Sequence, residues 1–224
     1  MNTLLSAPLA PLLDSLFQED AAPSPEAEAA MAAFSGEEIE RLKRSKTDYI
    51  GFYGRLKALP LAVSRETGLL LYMLARSCRA RTIVEFGTSF GVSTLHLAAA
   101  LRDNGGGHLI TSEFEASKVV KARKNLEAGG LIDLVEIREG DALQTLSVDM
   151  PETIDLLLLD GAKALYCEVL GLVENRLRPG TLIVADDADC NPDYLAHVRS
   201  SPVGAYMSLP IVDGVELSMR LGPN

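Results

Sequence analysis

The 224-residue chain has no tryptophan, only 5% aromatic residues, three cysteines and three histidines. Each scarcity removes a class of function. With so few aromatics, no cage for a cationic ligand is evident. Cys78, Cys167 and Cys190 lie far apart and form no C-x-x-C pair. A disulfide framework or zinc site is therefore not expected, and reduced thiols in a cytoplasmic protein fit better. His96, His108 and His197 show no paired ligand spacing and read as structural. Basic residues are also short, 21 against 31 acids for a net charge of −10. That balance argues against nucleic acid or an anionic membrane as the main partner. Long hydrophobic runs are missing: Pro8 and Pro11 interrupt Leu4–Leu13, and no basic residue precedes it. This makes a poor signal peptide and is too short to span a bilayer. It reads as a short helix or arm, packed on the domain or on a second subunit.

What is present is a 47% hydrophobic chain, enough for one α/β core. Ala21–Glu28, with Pro23 and Pro25, marks a joint. Ser35-Gly36-Glu37-Glu38 is a capping-box pattern that opens a helix with Ile39, Leu42, Tyr49, Ile50 and Leu56 at its turns, ending at Pro60. Ser64 caps the next helix, with turns at Leu69, Tyr72, Met73 and Arg76. From Arg81 the pattern predicts strands at Thr82–Phe86, Leu109–Ser112, Val135–Arg138, Ile154–Leu159 and Leu182–Ala185. Helices alternate with them at Val92–Leu101, Ser117–Ala128 and Tyr166–Leu177, the last closed by Pro179-Gly180. Tyr206–Ile211 and Val215–Leu221 flank Asp213-Gly214, a turn dipeptide. Such alternation means a mostly parallel sheet with helices on both faces and a C-terminal antiparallel hairpin.

Two apolar strands stop at acids: Ile154–Leu159 at Asp160-Gly161-Ala162-Lys163, and Thr181–Ala185 at Asp186-Asp187. In open α/β sheets the carboxyl edge of the strands is where ligands bind. Asp160, Asp186 and Asp187 can converge there on a hard divalent cation, with Lys163 beside it. At the first strand-to-helix turn, Glu85-Phe86-Gly87-Thr88-Ser89-Phe90-Gly91-Val92-Ser93 offers Gly87 for a tight turn and Gly91 for close backbone approach. Ser93 and the free N–H groups of the helix start are donors for an anion. The spacing is G-x-x-x-G rather than G-x-G-x-x-G, which disfavours NAD or FAD. Glu113 ends the second strand, placed to accept from ribose hydroxyls. Asp141, followed by Ala142, borders an adenine in the same scheme. The plainer readings are turn glycines, a solvated Glu113, strand-end caps at Asp160 and Asp186, and a solvated Lys163. Cys167 and Cys190 lie near this site, but thiolates are soft ligands for a magnesium-like ion.

These motifs, in this order and spacing, resemble the cation-dependent S-adenosylmethionine O-methyltransferases, the catechol and caffeoyl-CoA O-methyltransferase family, from about Leu61 to the C-terminus. The resemblance implies a Rossmann-like class I methyltransferase fold with a seven-stranded sheet over residues 61–224, and an N-terminal arm with helices over 1–60 serving as lid or dimer contact. It implies S-adenosylmethionine held by Val63, Glu85, Gly87, Thr88, Gly91, Ser93, Glu113, Asp141, Ala142 and Asp160. A divalent cation, Mg²⁺ in this reading, falls to Asp160, Asp186 and Asp187, and catalysis to Lys163. Two departures stand out. The family usually carries Asp-Asn where this chain has Asp186-Asp187, an extra carboxylate that offsets more of a cation's charge. Gly161-Ala162 is smaller than the pair in many members, which predicts a more open substrate end.

The expected reaction is methyl transfer to a hydroxyl of a small catechol-like or vicinal-diol acceptor. The cation would lower the hydroxyl's pKa, and Lys163, its own pKa depressed by that cation, would take the proton. A metal-independent methyltransferase and a non-catalytic S-adenosylmethionine-binding protein on the same fold remain open alternatives, and the family together with the apolar patches of the N-terminal arm suggests a homodimer through that arm.

Overall fold

A computed structural model describes residues 2–200, 205–211 and 214–222. Seven strands form one sheet: β1 Thr82–Phe86, β2 His108–Glu113, β3 Val135–Glu139, β4 Ile154–Leu159, β5 Leu177–Ala185, β6 Tyr206–Pro210 and β7 Glu216–Arg220. Their spatial order is β3-β2-β1-β4-β5-β7-β6. The first five run parallel, while β7 pairs antiparallel with both β5 and β6. The expected mostly parallel, seven-stranded Rossmann-like class I methyltransferase sheet is present. Asp213 of the expected hairpin turn lies outside the described residues.

Strand side chains alternate between two apolar layers, as a period of two requires. Ile83, Leu109, Leu156, Leu158 and Val184 face one cluster, while Val84, Ile110, Leu157, Leu159 and Ile183 face the other. Four helices cover the first face: α1 Leu9–Ala21, α5 Arg65–Ser77, α6 Val92–Asp103 and α7 Ala116–Ala128. The short α8 Ala142–Thr145, α9 Tyr166–Val173 and α10 Pro192–Arg199 cover the second. The apolar N-terminal run packs on its own domain, with Leu9, Leu13 and Leu16 of α1 buried in the first cluster.

Four local expectations change. The joint is shorter than Ala21–Glu28, because α2 starts at Pro25 and runs to Ala32. The single helix expected from Ser35 to Pro60 is two, α3 Gly36–Lys43 and α4 Tyr49–Arg55. The hydroxyl of Ser45 accepts from the Asp48 N–H at 3.0 Å and breaks the run. On α5, capped by Ser64 as expected, the buried turns are Leu71 and Ala75, while Leu69 and Met73 are exposed. Finally, α9 stops at Val173, and Pro179-Gly180 lies inside β5, where the pairing with β4 shifts register.

Candidate functional site

The order β2-β1-β4 places a topological switch point between β1 and β4, and the pocket opens at the carboxyl ends of these strands. The two ends are locked together. Asp160 donates its N–H to the Phe86 carbonyl at 2.8 Å. A Cβ on Gly87 would stand 2.5 Å from the Asp160 carbonyl oxygen, and Gly87 has φ +102°, so only glycine fits. Gly91 serves a different purpose from the one expected. Its φ is +85° and its neighbour is Ala122 of α7 rather than the pocket.

Val63, Gly87, Thr88, Ser93, Glu113, Asp141, Ala142 and Asp160 all line this one pocket. Glu85 does not reach it. Its carboxylate is fully buried below the turn and accepts from Ser93 Oγ at 2.6 Å and Thr94 Oγ1 at 2.5 Å, fixing the start of α6. Burial pushes the Glu85 carboxyl up to about 7, against the lowering effect of these hydroxyls and of Thr111. The Ser93 hydroxyl, expected as an anion donor, is committed to Glu85. Glu113 accepts from the N–H groups of Ser89 and Glu115, both at 2.9 Å. Each of its oxygens keeps a lone pair for a ligand hydroxyl. Asp141 caps α8 through the Leu143 N–H at 3.0 Å, and its second oxygen accepts from the Tyr49 hydroxyl at 3.0 Å.

Beside the pocket, three carboxylates close on one ammonium. Lys163, only 5% exposed, stands 2.8 Å from Asp160 Oδ1, 3.5 Å from Asp186 Oδ2 and 3.9 Å from Asp187 Oδ2. Asp186 and Asp187 are adjacent yet both reach it, because Asp187 takes the left-handed conformation with φ +48°. Asp tolerates that region better than most residues. Burial disfavours the charged lysine, but Asp160, Tyr166, Asp186 and Asp187 outweigh it and hold Lys163 well above the usual lysine range. The depression expected from the sequence belongs to a cluster that holds a cation; with the carboxylates alone the lysine is held up. Burial pushes Asp160 up to about 8, with Lys163 opposing and Asp186 adding to the rise. Removal from water is thus the main reason Asp160 holds a proton more tightly, and the neighbouring Asp186 adds to it.

The donor set is chemically suited to a hard cation, being all carboxylate oxygen. In this arrangement the spacing is set by Lys163, and among the described residues no three His, Cys, Asp or Glu side chains form a cluster that could hold a metal ion.

Several lining residues carried no sequence signal. Tyr49 and Tyr53, one turn apart on α4, both face the pocket. Ser89, Phe90 and the buried Lys118 join them from the turn and from α7. At Gly161, where a more open substrate end is expected, the Phe86 ring packs 2.4 Å from where a Cβ would be, and both residues line the pocket.

Residues 84–188 match a methyltransferase domain family. A catechol O-methyltransferase of Niastella koreensis is 38% identical over 130 residues, 57% of this chain and 58% of that protein. A Mycolicibacterium smegmatis relative, provisionally named an O-methyltransferase, is 35% identical over 62% of this chain and 70% of its own length. The chain belongs to the O-methyltransferase family. It spans a little under three-fifths of the Niastella koreensis member. Among solved structures, the O-methyltransferase TomG of Streptomyces achromogenes, involved in tomaymycin synthesis and in complex with S-adenosylmethionine, superposes with a TM-score of 0.62 at 27% identity. That match covers 92% of this chain and 99% of TomG. Among the described residues, no helix of this family member is long and apolar enough to cross a membrane.

Proposed function

We propose that the chain is an S-adenosylmethionine-dependent O-methyltransferase acting on a hydroxyl of a small catechol-like or vicinal-diol acceptor, assisted by a divalent cation, Mg²⁺. One observation carries the reading: the Asp160–Lys163–Asp186–Asp187 cluster and the pocket of Gly87, Glu113 and Asp141 share Asp160 as common wall. A nucleoside-sized pocket thus meets an acid–base cluster at a single residue.

S-adenosylmethionine supplies an electrophilic methyl group, and a phenol with pKa near ~10 must lose its proton to attack it. Glu113 holds the ribose hydroxyls, and Ala142 and Asp141 border the adenine. Val63 and Phe90 exclude water, and the Gly87–Ser93 turn takes the amino-acid end. A divalent cation held by Asp160, Asp186 and Asp187 supplies positive charge that acidifies an acceptor hydroxyl. Lys163 would orient those carboxylates and, once the charge of a bound cation had lowered its proton affinity and freed its amine, would be placed to receive the acceptor proton. Aligning oxygen, methyl and sulfur provides much of the remaining acceleration.

A metal-independent route has its own support. Lys163 already stands at the centre of the three carboxylates, so its ammonium can stabilise a developing oxyanion directly. Calorimetric titration of S-adenosylmethionine, then of a catechol, with Mg²⁺ or with EDTA tests both. Catechol binding that needs Mg²⁺ and cofactor supports the metal-assisted reading. Turnover indifferent to EDTA supports the lysine-only route, and absence of cofactor binding overturns both.

A further inference from the structure

Lys118 is a lysine where packing alone would favour an apolar residue. It lies on the inner face of α7 with 4% exposure, and it lines the pocket. A buried ammonium is costly unless it is paired. Its Nζ donates to Ser89 Oγ at 3.0 Å and sits 5.9 Å from the centre of the Phe90 ring. Ser89 Oγ in turn donates to the Pro60 carbonyl, while the Ser89 N–H donates to Glu113 at 2.9 Å. Two turns further along α7, the Asn125 amide donates to the Phe90 carbonyl at 2.8 Å. Helix α7 therefore grips two successive residues of the turn.

The chain of bonds runs from α7 through the turn to Pro60, and Pro60, Leu61, Ala62 and Val63 all line the pocket as a strap between α4 and α5. Two non-glycine residues along this path are in left-handed conformations, Leu61 with φ +46° and Ser89 with φ +47°. Such positions persist only where surrounding contacts fix them. The Ser89 hydroxyl, bonded to the carbonyl of Pro60 just before Leu61, links the two positions. Ser89 also engages Glu113 through its backbone N–H, so that acid and the strap are joined through a single residue.

We propose that Lys118 is a positioning residue for the cofactor: acting through Ser89, it fastens the Pro60–Val63 strap over the pocket and sets how fast the cofactor leaves. The inference rests on the S-adenosylmethionine reading of this pocket. It predicts that loss of any link frees the strap, with no change at the Asp160–Lys163 cluster.

Three variants test it: Lys118→Met, Ser89→Gly and the double substitution. Ser89→Gly deletes the hydroxyl while accepting the positive φ, so it keeps the fold even if Lys118→Met does not. S-adenosylhomocysteine affinity is measured by calorimetry, its release by stopped-flow displacement of a fluorescent analogue, and Tm on the same samples. The expected result is release about tenfold faster in each single variant, the loss expected for one charge-assisted link. The double variant should be no worse than the more affected single one, because both cut the same chain. Wild-type release rates in Ser89→Gly, or a lowered Tm in Lys118→Met with unchanged release, overturn the clamp and leave a structural lysine. Wild-type protein that binds no S-adenosylhomocysteine overturns the cofactor reading itself, and the clamp with it.

Discussion

The Tyr49 hydroxyl donates to Asp141 Oδ2 across 3.0 Å, tying α4 to the first turn of α8 across the mouth of the pocket. The Asp141 carboxylate also caps α8, so one side chain serves the helix start and the covering helix together. Burial, and then Asp141, push the Tyr49 phenol up to about 12, and it remains a hydrogen-bond donor throughout the working pH range.

Tyr49→Phe removes that donor and leaves the cap intact. The expected outcome is a rise in KM for S-adenosylmethionine of about threefold, in line with ~0.5–1 kcal/mol for one hydrogen bond. Tm should move little. Steady-state kinetics beside a thermal melt decide it, and an unchanged KM would show that α4 covers the pocket without being tied to it.

Lys163→Met should separate binding from chemistry. Its side chain touches the carboxylate cluster and does not line the pocket. Cofactor affinity should stay within about threefold while turnover falls by about 10²-fold or more, the usual contribution of a positioned acid or base. Unchanged turnover removes Lys163 from the reaction.

Metal removal bears on the same cluster from the other side. EDTA should abolish catechol methylation, and added Mg²⁺ should restore it. Asp160→Ala should abolish the metal dependence together with activity. A fully active Asp160→Ala enzyme would sink the metal-assisted reading.

Glu85 predicts a pH dependence of stability. In the unfolded chain a glutamate titrates near ~4.3, whereas burial pushes this one up to about 7. Between those values the folded state binds more protons than the unfolded one. Stability therefore falls as pH rises through that window and levels off above it. Asp160, pushed up to about 8, acts in the same direction. Glu85→Gln should flatten the decline of Tm between pH 5 and pH 8 without erasing it. A variant that loses as much Tm as wild type over that range would place the dependence elsewhere.

The strands were readable because a buried parallel strand is a continuous apolar run, and β4 is buried at every position from Ile154 to Leu159. The acids of the site were readable for the same reason: Glu113, Asp160 and Asp186 mark where such runs stop. Helix limits were harder. Leu42 and Tyr49 stand seven residues apart and stay in helical phase across a polar stretch, and the local bonds of Ser45 to Thr47 and Asp48 end the helix there. Tyr49, Tyr53 and Lys118 were invisible as site residues because each occupies an ordinary position in a helical pattern. Only tertiary packing turns them toward the pocket. The contacts of Gly91 and Ser93 with Ala122 and Glu85 could not be read from the sequence, because they are fixed by how α7 and β1 pack.

Phe86 closes the gap that Gly161 leaves open. The width of the pocket beside Asp160 is thus dictated by a strand in the centre of the sheet, and the loop after β4 merely yields to it. Family members that enlarge the residue at Gly161 must shrink or turn the one at Phe86, so the two positions are expected to change as a pair.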